Sequence, residues 1–116
     1  MTTLIVIDQA PYGLWAGREA LDMAFSLATF DQPVSLLFTG AGVNWLRKGQ
    51  TPDAIEQKSV ERNLSAAPVF GIKQLLADEA SCQRYGLSPD ELIDGANMAR
   101  SSSGLLASYT NVIFSN

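Results

Sequence analysis

Cys82 is the one cysteine in a chain of 116 residues that contains no histidine. A thiol attacks as its thiolate, and here no imidazole is available to take its proton. Cys-His and Ser-His-Asp catalysis within the chain are therefore excluded, and so are the usual zinc ligand sets. A cation or a helix N-terminus could still activate the thiol. Arg84 lies two residues on and so points to another side of a helix, while Asp78 and Glu79 oppose ionisation. Cys82 reads as a small packed thiol, with a role carrying a reaction alone as the alternative.

Other residues invite chemistry at the ends of expected strands. Gly40-Ala41-Gly42 follows a strand, where a glycine-rich loop can cradle a phosphate. Trp45 stands where the third glycine of a dinucleotide fingerprint would be, and no Walker lysine with its Ser/Thr follows. A tight strand-to-helix turn is the simpler reading, and a nucleotide- or phosphate-binding module is kept as a rival. Asp8 and Asp78 both end expected strands, which resembles a phospho-acceptor receiver. That arrangement needs a second acid beside Asp8 and a lysine near the last strand; Gln9 and Val112-Ile113-Phe114-Ser115 supply neither. No metal site is expected, and Asp78 is read as a helix N-terminal carboxylate. Tyr12, Trp15 and Trp45 cluster near strand C-termini, where aromatics serve either as core or as partner anchors.

Parallel strands and helices must position these groups. The β-branched run over 3–8 is a strand buried on both faces, and Pro11 and Gly13 break it. A helix is expected over 14–29 with two apolar stripes. Leu14, Leu21, Ala24, Phe25 and Ala28 form one; Ala16, Ala20, Met23, Leu27 and Phe30 form the other. Such a helix packs on the sheet with one side and on something else with the other. A strand over 34–38, a helical turn over 43–46, a polar loop over 48–57 and a helix over 59–67 follow. Next come a weaker strand over 73–77 and a helix over 79–85 ended by Gly86, where positive φ is cheap. Ser88-Pro89-Asp90-Glu91 carries the signals of a helix start. A strand over 96–99, a helix capped within 101–103 and running to Tyr109, and a strand over 111–114 complete the chain. Alternating strands and helices imply right-handed crossovers. The expected fold is a single α/β domain over 1–116, a three-layer α/β/α sandwich with a mainly parallel sheet of about five strands.

The net charge of −4 and a single adjacent basic pair, Arg47-Lys48, argue against direct binding of nucleic acid. No apolar stretch approaches the roughly 18 residues of a membrane span, and no signal sequence is evident, so a cytoplasmic protein is expected. Charged residues make up 17% against a globular average of about 25%, beside 47% apolar residues. That balance suits a surface partly covered by partners, and it also suits a monomer with a Ser/Thr/Asn-rich exterior.

Three blocks carry a more specific signal: Ala10-Pro11-Tyr12-Gly13, Gly17-Arg18-Glu19-Ala20-Leu21-Asp22, and the strand over 34–38. Together they closely resemble the TusC/DsrF-type subunits of the DsrE/F/H sulfur-relay family. The resemblance continues through Gly42-Val43, Gly49-Gln50, Pro52-Asp53-Ala54 and Gly86-Leu87; Ala41 stands where many relatives carry an acidic residue. It implies the same small parallel α/β fold and a place in a heterohexamer with TusB/DsrH-like and TusD/DsrE-like subunits. In that assembly a cysteine of the TusD/DsrE-type chain passes persulfide sulfur to a TusE/DsrC-like carrier. The sulfur goes to tRNA wobble 2-thiouridine in the Tus case and belongs to dissimilatory sulfur oxidation in the Dsr case. The relay cysteine of those chains lies eight residues before the glycine that ends the short helix. Counting back from Gly86 reaches Asp78, which cannot hold a persulfide, and Cys82 lies about one helical turn beyond.

The resemblance thus implies a non-catalytic structural subunit with no cofactor, most simply in tRNA thiolation. The alternatives are an active sulfurtransferase using Cys82, or the equivalent subunit in dissimilatory sulfur oxidation. Tyr12, Trp15, Met23, Leu27 and Trp45 are the interface candidates.

Overall fold

A run of five apolar or β-branched residues with no alternation can be a strand only if both its faces are covered. Two such runs, β1 (Thr3–Ile7) and β2 (Val34–Phe38), are buried at every position. In the computed structural model they form the middle of a parallel sheet with β3 (Ile72–Asp78), β4 (Ala96–Ala99) and β5 (Asn111–Phe114), in the order β4-β3-β2-β1-β5. The structure describes residues 2–8, 23–24, 26, 33–47, 71–93, 95–100 and 103–114. The outer strands β4 and β5 contain no fully buried residue, as expected where one side of a strand lacks a neighbour.

Register sorts the side chains onto two faces. Ile5 lies beside Leu36 and Ile113, while Val6 lies beside Leu37 and Phe114. Between Val34 and Ser35 the pairing with β3 shifts from Ile72 to Gln74, so an extra residue, exposed Lys73, is absorbed in a bulge. The bulge explains why β3 is weak as a sequence pattern. Its first exposed residues interrupt the apolar run, yet the strand starts at Ile72, one residue earlier than its polar onset suggests.

The order of the strands dictates which face each connection covers. From β1 to β4 the chain moves steadily toward one edge; from β4 to β5 it returns across the whole sheet. With right-handed crossovers, the first three connections fall on one face and the last on the other. The packing follows this rule. Ala24, Val43, Trp45, Leu46, Cys82, Leu87, Leu92 and Ile93 come from the first three connections and join Ile5, Ile7, Leu36 and Phe38 in the larger core. Leu105, Leu106 and Tyr109 come from the last and pack on Leu4, Val6, Leu37 and Leu76. Helical segments therefore flank a parallel sheet on both sides, the expected α/β architecture.

Local details depart from the sequence reading in physically clear ways. The helical turn after β2 is a 3-10 helix, Gly40–Leu46, beginning three residues earlier than expected. The helix signal at Ser88 yields only a 3-10 turn, Pro89–Glu91. Beyond it Leu92 and Ile93 are both buried; the Ile93 N–H donates to the Leu46 carbonyl at 2.8 Å, and Leu92 bridges Arg47. The backbone at Leu92 is extended, and this long-range pairing with the end of the first 3-10 helix overrides the local helix start. The helix expected over 79–85 is α1 (Glu79–Arg84), and the last helix is α2 (Ser103–Ala107), shorter than expected. Met23, Ala24 and Ser26 have helical backbone; the rest of the helix expected over 14–29, the loop over 48–57 and the helix over 59–67 lie outside the described residues.

Candidate functional site

In open α/β sheets, chemistry gathers at the C-terminal ends of the strands. Here β2 and β3 deliver the Thr39–Gly42 loop and the Asp78–α1 junction to that edge. Asp78 has extended backbone and is the N-cap of α1, an arrangement that leaves the first N–H groups of the helix needing acceptors. Its Oδ2 accepts from the Ser81 N–H at 3.1 Å and from the Ser81 hydroxyl at 2.5 Å. The Ser81 hydroxyl in turn accepts from the Gly40 N–H at 2.8 Å. Three groups from two connections are thereby locked: Gly40 to Ser81 to Asp78.

The loop is held from its other side as well. The Thr39 N–H donates to the Ile7 carbonyl at 3.0 Å, and the Gly42 N–H to the Thr39 carbonyl at 2.8 Å. A side chain at position 42 would drive its Cβ into the Ile7 carbonyl. Close approach of backbone to backbone therefore requires Gly42, and the glycines serve a tight turn. The Gly40 N–H that a bound phosphate would need is already satisfied by Ser81.

Cys82 is fully buried, with a free thiol. The end of α1 explains its orientation. Gly86 has φ of +65°, the Leu87 N–H donates to the Cys82 carbonyl at 2.8 Å, and the Gly86 N–H to the Gln83 carbonyl at 3.2 Å. This is the Schellman ending, in which the residue after the glycine packs on the residue four or five positions before it. Leu87 and Cys82 are that pair, both within the larger core. Burial pushes the thiol above its ordinary value, the Asp78 carboxylate adds to the rise, the Arg47 guanidinium partly offsets it, and Glu79 raises it further. A buried, proton-holding thiol is a poor nucleophile.

The cation that acts on Cys82 is thus Arg47, from the end of the 3-10 helix, and not Arg84. Arg47 donates to Asn44 Oδ1 from Nε at 3.4 Å and from Nη2 at 3.2 Å, and from Nη2 to the Tyr85 carbonyl at 3.2 Å. It also lies 3.8 Å from Glu91. Glu91 Oε1 accepts from the Ser88 N–H at 3.0 Å and lies 2.7 Å from the Ser88 hydroxyl. Those two bonds, the backbone one first, hold its carboxyl below the ordinary range, with Arg47 helping. The spacing of Asn44 and Arg47 signals the local pair; the reach of Arg47 to the Tyr85 carbonyl at the end of α1 has no sequence signal. The link that Ser81 makes to Gly40 likewise has no sequence signal, although its place three residues after Asp78 is legible as a capping arrangement.

The interface candidates fare differently. Trp45 is fully buried and has the largest of the fully buried side chains among the described residues, so it packs within the chain and is not a surface anchor. The 3-10 helix turns its indole onto the sheet beside Val43 and Leu46. Met23 is 36% exposed while its neighbour Ala24 is fully buried, which fits the two-sided helix at the positions described. Tyr12, Trp15 and Leu27 lie outside the described residues. Asp8 is exposed at the end of β1, and among the described residues no group of three or more His, Cys, Asp or Glu side chains forms a metal cluster.

A parallel five-stranded sheet covered on both faces, with the capped carboxylate of Asp78 at its C-terminal edge, defines a small α/β domain. The chain belongs to the DsrE/DsrF-like family, whose model matches residues 1–112. It is 38% identical to a protein TusC homolog of Pseudomonas aeruginosa over 77% of this chain and 75% of that one. It is 35% identical to a protein TusC of Buchnera aphidicola over 72% of this chain and 70% of the relative. The intracellular sulfur oxidation protein DsrF of Allochromatium vinosum is 31% identical over 74% of this chain and 63% of its own length. In three dimensions the chain resembles the ychN protein of E. coli, with a TM-score of 0.76 at 20% identity over 98% of this chain and 99% of that one. A Methanobacterium thermoautotrophicum protein of unknown function matches with a TM-score of 0.75 at 16% identity over 97% of each chain. These two likenesses establish the fold.

Proposed function

We propose that this chain is a non-catalytic structural subunit of a TusBCD/DsrEFH-type sulfur-relay complex of the cytoplasm. In this reading it supports persulfide transfer by a TusD/DsrE-like chain to a TusE/DsrC-like carrier, and the sulfur serves tRNA wobble 2-thiouridine. The observation that carries the proposal is the state of Asp78. The position implied for a relay cysteine holds a carboxylate already engaged by both donors of Ser81. Cys82, one turn along, faces the core as the partner of Leu87. Relatives named TusC at 35% and 38% identity support the family role, and the tRNA pathway is preferred because it requires no specialised metabolism.

Reconstitution tests it. Mixed with TusB-like and TusD-like subunits, the chain should elute with both in one assembly. Met23→Glu, which places a charge on the exposed side of the first helix, should weaken that assembly while leaving the thermal midpoint of the isolated chain within a few degrees. A stable monomer that binds neither partner would overturn the proposal. Partner binding that is indifferent to Met23→Glu would remove Met23 from the interface but leave the subunit role standing.

A further inference from the structure

We draw no further inference here: the strongest candidate, the uncharged surface patch formed by α2 and the edge strand β5 around exposed Phe114, is apolar enough to meet a partner, but nothing in the structure shows what covers it.

Discussion

Cys82 shows how one residue's environment decides its chemistry. The Schellman ending of α1 turns its side chain inward, and burial then holds the proton on the sulfur. The sign of the resulting pH dependence is fixed. On unfolding, the thiol returns to its ordinary value near 9.0, so in alkali the unfolded chain releases a proton that the folded chain retains. The contribution of Cys82 to stability is complete below that value and is lost as pH rises through it and through the higher folded value. Urea midpoints measured from about pH 8 to about pH 10 should therefore fall more steeply in the wild type than in Cys82→Ala. Equal slopes would mean that the thiol is not held protonated by the fold. The sequence makes the scarcity of the thiol and its acidic neighbours legible. Its burial and the influence of Arg47 depend on which connections share a face of the sheet, and no local pattern encodes that.

At the scale of elements, the lock joining Gly40, Ser81 and Asp78 ties the turn after β2 to the start of α1. Asp78→Ala removes the N-cap and should lower stability by about 1 kcal/mol, whereas Asp78→Asn, which can still accept from Ser81, should lose less. Ser81→Ala removes the hydroxyl that accepts from the Gly40 N–H and donates to Asp78, leaving the backbone bond to Asp78 in place, and should cost about 1–3 kcal/mol. Urea denaturation of the three variants gives the order; Asp78→Asn as harmful as Asp78→Ala would contradict the capping account. Gly42→Ala should be the most damaging change in this turn, about 3 kcal/mol, because its Cβ meets the Ile7 backbone and not a side chain that can swing away. A Gly42→Ala protein of wild-type stability would show that the loop has room the backbone does not display. Glycine spacing alone leaves a phosphate cradle and a tight turn both open. The distinction lies in the Ile7 carbonyl and the Ser81 hydroxyl, which reach the loop from distant parts of the chain. Ser88-Pro89-Asp90-Glu91 is the converse case, since a strong local helix start gives way to the pairing of Leu92 with Arg47 and of Ile93 with Leu46.

For the whole molecule, the alternation of apolar strands with helical segments was enough to anticipate a parallel sheet with both faces covered. The central pair β1 and β2 was the clearest part, because unbroken apolar runs have few other uses. The strand order was not legible, since periodicity says nothing about which neighbours pair. That order nevertheless organises the site: it gathers the 3-10 helix and α1 on one face, with Cys82 between them and the sheet. It also makes Trp45 a core residue, which its position near a strand end did not reveal. The central claim is that this chain carries no sulfur itself and supports a thiol of a partner. Its most direct test is mass spectrometry of the reconstituted relay complex after incubation with a persulfide donor, alongside the relay activity of Cys82→Ala. The account predicts an added sulfur of about 32 Da on the partner chain, none on Cys82, and undiminished relay in the variant. Sulfur found on Cys82, with relay lost in Cys82→Ala, would contradict it.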